Sequence, residues 1–237
     1  MNSTTWQPIL NGLPITSSRG FVGWSSISLI KSGNYLGLFD TGSEGARETI
    51  IKNLKAININ LLDIKFIILS HLHFDHFINI ELFPNAKVYT TEEELDYALS
   101  TKPKENGDLN YVKSSISFFK KQFIKVKPGV QIYNGTIVPL PGHTKGSIGF
   151  ETEDCIFTGD ALKYVIEAKT CKTSHAYYSQ DLANKSIEKI LAAHKIIIPG
   201  HDQAFKFENG NVIQLNDASL EIYKRKDSNI TISIKDI

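Results

Sequence analysis

Phe66-Ile67-Ile68-Leu69-Ser70-His71-Leu72-His73-Phe74-Asp75-His76 is the most informative stretch of the chain. Its first four residues are large and apolar with β-branched members, the composition of a buried strand. Four side chains of metal-binding type then fall within six residues. His71 and His73 are two apart, so an extended backbone points both imidazoles to one face, whereas a helix would separate them. Asp75 and His76 follow where the chain turns, and approach from another side. A solvated loop of histidines is the plain alternative. With seven His in 237 residues, however, such a pattern arises by chance on the order of a few times in ten thousand chains.

Upstream, Ile27 and Leu29 alternate with Ser26 and Ser28, and Tyr35-Leu36-Gly37-Leu38-Phe39 follows the turn residues Ser32-Gly33-Asn34. A hairpin is expected over 21–39, closed by a tight turn at Asp40-Thr41-Gly42. From 44 to 57, Ile50, Ile51, Leu54 and Ile57 recur at helical spacing opposite Glu44, Arg47, Glu48, Lys52 and Lys55. That is an amphipathic helix lying on a sheet. Downstream, Lys87-Val88-Tyr89-Thr90 reads as a strand and Thr91-Glu92-Glu93-Glu94 as a capping box opening a short helix. Residues 100–113 read as a polar loop, the mobile edge of a pocket, and Phe118 and Phe119 as core residues. Short strands are expected at 123–127, 130–133, 136–140, 147–151 and 154–158, with a hairpin turn at Asn134-Gly135. A second helix spans Leu182 to Ala193 with Ile187, Ile190 and Leu191 inward. A strand at 195–198 follows, with further short strands through 203–234.

The chain is 41% apolar and 22% charged, ordinary for a protein with a sizeable core. A formal charge of +1 gives no global attraction to nucleic acid or an acidic membrane. The two cysteines, Cys155 and Cys171, read as buried thiols in a reducing compartment. Neither a signal-peptide pattern nor an apolar run of membrane-spanning length is present, so a cytoplasmic protein is expected. Composition does not shift along the chain, and one domain over 1–237 is expected.

Three further strand ends carry ligand-type residues: Pro141-Gly142-His143, Thr158-Gly159-Asp160 and Pro199-Gly200-His201. Each follows apolar residues and a glycine, a layout that sets a polar side chain on a sheet rim. Singly, each reads as a turn residue. Taken with the opening stretch, they become ligands of one site. The repeated Pro-Gly-His, with strands preceding a helix in each half, suggests a pseudo-duplicated β-rich unit with helices outside.

In this order the motifs resemble the metallo-β-lactamase superfamily, over residues 21 to 207. The resemblance implies an α/β fold: an αβ/βα four-layer sandwich of two mixed β-sheets with outer helices and a site at the sheet edge. It implies that His71, His73 and His143 hold one metal, that Asp75, His76 and His201 hold a second, and that Asp160 bridges them. Three neutral imidazoles make a Lewis-acidic site with an open position. A water between two ions roughly 3.5–4 Å apart would ionise near neutral pH and act as nucleophile. Asp75 would orient that water or move its proton. Two divalent ions are expected, with zinc first and iron or manganese as alternatives. Asp40 and Ser70 either orient ligand imidazoles or belong to plain turn and strand-end packing.

The run Ser70 to His76 looks very like the acyl-homoserine lactonases, which carry a Tyr three residues after the bridging Asp to help stabilise a carbonyl oxygen. The nearest tyrosine here is Tyr164, four residues after Asp160. Residues 79–86 are more like the small metal-dependent hydrolases of the superfamily. Phe77-Ile78 stands where many members have Gly-Gly. Asp160 argues against the zinc β-lactamases, and the tail is unlike the helical glutathione-binding region of the glyoxalase-II thioesterases. The expected function is a dinuclear hydrolase of a small-molecule ester, lactone or thioester, with no nucleic-acid or membrane partner; a homo-oligomer is compatible with the sequence. The alternatives are a phosphodiesterase or ribonuclease type, a one-iron persulfide-dioxygenase type, and a non-catalytic metal-binding module. Substrate contacts are expected from 100–113 and from Lys163 to Tyr178, where Tyr164, Lys169, His175, Tyr177 and Tyr178 lie. His194 is expected at a helix C-terminus.

Overall fold

The computed structural model describes residues 4–18, 20–215, 220–223, 226 and 231–235. The N-terminal part contributes strands β1 Thr4–Leu10, β2 Thr16–Ser17, β3 Gly20–Phe21, β4 Ile27–Ser32, β5 Tyr35–Phe39, β6 Ile64–Ile68, β7 Lys87–Thr90 and β8 Phe123–Lys125. Its helices are α1 Arg47–Ala56, α2 Phe74–Phe77, α3 Glu92–Leu99, α4 Lys102–Glu105 and α5 Lys113–Phe119. The second part contributes β9 Gln131–Ile132, β10 Gly135–Pro139, β11 Ile148–Glu151, β12 Cys155–Gly159, β13 Ile196–Pro199, β14 Phe205–Glu208 and β15 Asn211–Gln214, with α6 Val165–Thr170 and α7 Gln180–Ala192.

One sheet has the order β1-β4-β5-β6-β7-β8 and the other β15-β14-β13-β12-β11-β10-β9, with β2 and β3 forming a separate small ribbon. Both large sheets are mixed: β5 to β8 run parallel, as do β12 and β13, and the remaining pairs are antiparallel. Their apolar residues sort into three layers of core. Phe66, Ile68, Phe39, Phe150 and Phe157 fill the space between the sheets. Ile67, Leu69, Ile50, Leu54, Leu95 and Ile116 lie between the first sheet and its helices. Ile156, Ile197, Ile187 and Ile190 lie between the second sheet and α7. Strand β6 shows why this is stable. Alternate residues point to opposite faces, and because both faces are covered, every residue from Phe66 to Leu69 is fully buried. The result is the expected four-layer αβ/βα sandwich.

This topology brings the strand ends that carry the histidines and aspartates together. Strands β5 and β6 are parallel and end at Asp40 and at the 70–76 stretch. In the second sheet β12 and β13 are parallel, ending at Asp160 and His201. Strand β10, antiparallel to β11, which is antiparallel to β12, therefore runs with them and ends toward His143. The carboxyl ends of strands are where ligands collect in such sheets.

Several local expectations are corrected. Helix α1 buries Ile50 and Leu54 but leaves Ile51 and Ile57 each 39% exposed, so its apolar stripe is narrower than the sequence spacing suggests. Phe119 is buried while Phe118 is exposed. Residues 100–113 are not a plain loop: they include α4 and a buried Asp108. The second hairpin turns at Tyr133 and Asn134, with φ of 45° and 56°, one residue before the expected pair. Tyr133 stacks on Phe66 at 3.8 Å between centroids, which fixes that register. Cys155 is buried as expected, but Cys171 is exposed. His194 follows α7 in the left-handed conformation, φ 52°, at the expected helix end. Among the described residues the strands expected through 234 are represented by β14 and β15; part of that span lies outside the described residues. No helix among the described residues is long and apolar enough to cross a membrane.

Candidate active site

His71 and His73 lie on the extended segment leaving β6, and the chain then turns into the short helix α2, which carries Asp75 and His76. His143, Asp160 and His201 arrive from the second sheet. All five histidines and Asp160 are buried, and the Asp75 side chain is 15% exposed. Potential ligand atoms converge in three overlapping groups: His71, His73 and His143; His71, His76 and Asp160; and Asp75, His76 and His201. His73 Nδ1 is 3.2 Å from His143 Nε2. Asp160 Oδ1 lies 3.2 Å from His76 Nε2 and 3.3 Å from His201 Nε2, while its Oδ2 lies 3.4 Å from His143 Nε2. Asp75 Oδ2 is 3.2 Å from His201 Nε2. Gly200 makes room for this, since a Cβ there would overlap Asp160 Oδ1.

The electrostatics suit cations. Burial, reinforced by the neighbouring histidines His76, His73 and His143, pushes His71 well below the ordinary histidine range. Burial likewise pushes His143 down to about 3. Both imidazoles are thus neutral at physiological pH, the form that binds metals. Burial opposes ionisation of Asp160, yet Lys163 and then His201 and His76 hold its carboxyl well below the carboxylate range. Burial also opposes a charged His76, but Asp160, Asp75 and Asp40 together raise it well above the ordinary value. That is a pocket of negative potential. His71 Nε2 is buried with no hydrogen-bond partner among the described residues. Buried polar atoms without partners are rare and call for a ligand, so this donor set fits divalent metal ions.

The other ring nitrogens are held from behind. Asp40 Oδ2 is 2.8 Å from His76 Nδ1. Ser70 Oγ donates to Asp40 at 2.7 Å and is 2.9 Å from His71 Nδ1. The carbonyl of His175 is 2.8 Å from His143 Nδ1. These contacts fix which nitrogen of each imidazole faces the centre, in line with the first of the two readings given for Asp40 and Ser70. Three contributors were not singled out from the sequence. Asp108 Oδ2 lies 2.9 Å from His73 Nε2; its only sequence signal was an acid in a polar loop. Lys163 Nζ lies 3.0 Å from Asp160 Oδ2 and occupies the position three residues after Asp160. Glu94, a capping-box acid by its spacing, is fully buried and its carboxylate bonds to the loops that carry His71, His73 and His143 instead.

A cavity of about 790 Å³ opens onto these groups. Its lining includes the polar groups of His73, Asp75, His143, Asp160, Lys163 and Tyr164 and the apolar side chains of Pro14, Ile15, Phe74 and Ile166. Of the expected contact residues, Tyr164, His175 and Tyr177 line it, and Asn110 represents the 100–113 segment. Lys169 lies exposed on α6, and Tyr178 packs against Tyr97.

Fold, clustered imidazoles and carboxylates, and an adjoining cavity define a metal-dependent hydrolase. The chain belongs to the metallo-beta-lactamase superfamily, whose family model matches residues 22–201. A probable metallo-hydrolase of Methanocaldococcus jannaschii is 29% identical over 165 residues, 70% of each chain. Among solved structures, a probable metal-dependent hydrolase from Staphylococcus aureus superposes with a TM-score of 0.73 at 16% identity, covering 92% of this chain and 99% of that one. AidC, a dizinc quorum-quenching lactonase in complex with a product, superposes at 0.65 and 16% identity, covering 93% of each. These two structural likenesses speak to the fold.

Proposed function

We propose that the chain hydrolyses a small-molecule ester, lactone or thioester, with two zinc ions as its cofactor. His71, His73 and His143 would hold one ion, Asp75, His76 and His201 the other, and Asp160 would lie between them. The supporting observation is the placement of Asp160, with Oδ1 toward His76 and His201 and Oδ2 toward His143. One carboxylate offering an oxygen to each histidine group suits a bridging ligand. When bound, such an ion pair supplies Lewis acidity and a water acidified to near neutral pH.

The chain's own groups divide the remaining work. Asp75, on the cavity wall beside His201, would take the proton of the attacking water and return it to the leaving group. The Lys163 ammonium would face negative charge developing on the carbonyl oxygen, with the Tyr164 hydroxyl flanking it. Pro14, Ile15, Phe74 and Ile166 would receive the apolar part of the substrate, and the cavity's volume suits a small molecule rather than a polymer. Because ligands come from both sheets, the reading treats the chain as one domain.

Protein purified without chelators should contain close to two zinc per chain. It should turn over at least one member of a lactone, thioester and ester panel, with phosphodiesters as the contrast, and His73→Ala should abolish that turnover. One iron per chain, or activity that survives in His73→Ala, would overturn the proposal.

A further inference from the structure

We infer that Glu94 is a positioning residue that holds the loops bearing His71, His73 and His143 at ligand-binding separation. This rests on the metal-binding reading above. Glu94 Oε1 accepts from the Leu72 amide at 2.9 Å and from the Tyr111 hydroxyl at 2.7 Å. Its Oε2 accepts from Thr144 Oγ1 at 2.6 Å and from the Gly146 amide at 3.2 Å. Leu72 sits between His71 and His73, and Thr144 directly follows His143. One fully buried side chain therefore ties the two loops whose imidazoles must converge.

The chemistry of the bonds singles out a carboxylate. All four partners are donors, and an ionised carboxylate is acceptor-only, with about four lone-pair sites. The loop after His143 is pressed onto the start of α3, because a Cβ at Gly146 would overlap the Glu94 backbone. Thr91 Oγ1 donates to the Gly146 carbonyl at 2.9 Å, a second tie at the same place. The Asp75, His76 and His201 group is supported differently: Asp40 holds His76, and His201 ends β13. Glu94 thus acts on one histidine group and not on the other.

Glu94→Gln keeps the shape but turns one acceptor oxygen into an amide NH2 facing an N–H or O–H donor. Tyr111→Phe and Thr144→Val each remove one donor and leave the carboxylate. Metal-stripped proteins are titrated with zinc by calorimetry and with cobalt by absorption, which distinguishes the three-histidine site from the one that adds Asp75. In the wild type two steps are expected. In Glu94→Gln the three-histidine step should weaken 10- to 100-fold while the other stays within about threefold; the two milder variants should shift the same step by less. Both steps unchanged, or both weakened alike in a folded variant, would overturn the inference. If Glu94→Gln does not fold, Tyr111→Phe and Thr144→Val decide it by the same criterion. A wild type that takes up no metal would instead refute the functional reading on which the inference stands.

Discussion

Replacing Lys163 with Met should move stability, metal affinity and turnover in different directions, which makes it a demanding test of the site. The ammonium lies 3.0 Å from Asp160 Oδ2, with the two side chains 16% and 2% exposed. Burial disfavours its charge, but Asp160 outweighs that and raises the lysine above its ordinary value. Lys163→Met keeps an unbranched side chain, one heavy atom shorter, and removes the charge. In metal-free protein Asp160 loses its ammonium partner, and breaking a buried pair on one side costs about 3–5 kcal/mol. His76 and His201 beside Oδ1 soften the loss, so the lower end, about 3 kcal/mol, is expected. Metal affinity should change with the opposite sign, because an ammonium beside a ligand carboxylate repels an incoming cation. At an effective dielectric of about 20, two unit positive charges ~4 Å apart repel by about 4 kcal/mol, and a divalent ion roughly doubles that. Even after solvent fills the vacated space, a tenfold gain in zinc affinity, about 1.4 kcal/mol, should remain. Turnover should nevertheless fall by about 10²–10³-fold if the ammonium faces the developing oxyanion. Urea unfolding of chelator-treated protein, zinc competition against a chromogenic chelator, and kcat on the best substrate read the three effects separately. Weaker zinc binding with an unchanged kcat would refute both the repulsion argument and the assigned role.

Two further outcomes are expected. Asp108→Asn, which neutralises the group 2.9 Å from His73 Nε2, should lower zinc affinity by about 10- to 100-fold with a small change in apo stability; chelator competition checks it, and wild-type affinity would dismiss the carboxylate as an orienting group. Metal-stripped protein should lose stability as pH falls from 6.5 toward 5. Burial depresses His71 and His143 in the folded state, so the unfolded chain takes up protons that the folded chain refuses, at up to about 1.4 kcal/mol per pH unit for each histidine. Asp40, which burial raises, offsets part of that slope, and the raised His76 acts only above about pH 6.5, where stability should decline again. Urea midpoints across pH 5–8 should therefore pass through a maximum, and a steady rise toward acid would contradict the assignment.

The sequence carried the architecture because the sandwich is written in short-range signals. An unbroken apolar run can be buried on both faces only within stacked layers, and β6 is such a run. The histidines and aspartates after that run, and after three strand-glycine units, could be placed on one rim from the sequence alone. The supporting groups could not. Glu94 stands at the N3 position of α3, where an acid ordinarily completes a local cap, and Thr91 does accept from the Glu94 amide. Its carboxylate nevertheless bonds to residues 22 and 52 positions away, a choice that spacing cannot reveal. Asp108 lies among Gly107, Leu109 and Asn110, where any polar residue reads as turn chemistry. Lys163 is hidden for another reason: the resemblance points to a tyrosine three residues after Asp160, and that position holds a cation, with Tyr164 next to it.

Charge balance links these hidden groups to the proposed cofactor. Asp40, Asp75, Asp108, Asp160 and Glu94 surround the five histidines, and all but Asp75 are almost fully buried. Asp40 and Glu94 accept bonds from donors on both oxygens, as ionised carboxylates do. Among the described residues Lys163 is the one ammonium or guanidinium within 4 Å of any of the five. With the imidazoles neutral, as metal ligation requires of His76 too, five carboxylates against one ammonium leave four negative charges, the complement of two divalent cations; in the empty site the raised His76 offsets one of them. Buried charge without compensation is costly, so a site built this way should be less stable empty than filled. That imbalance is the physical ground for proposing two ions rather than one. It also explains why acids that touch no metal in the proposed arrangement, Glu94 and Asp108, would still govern how tightly metal is held.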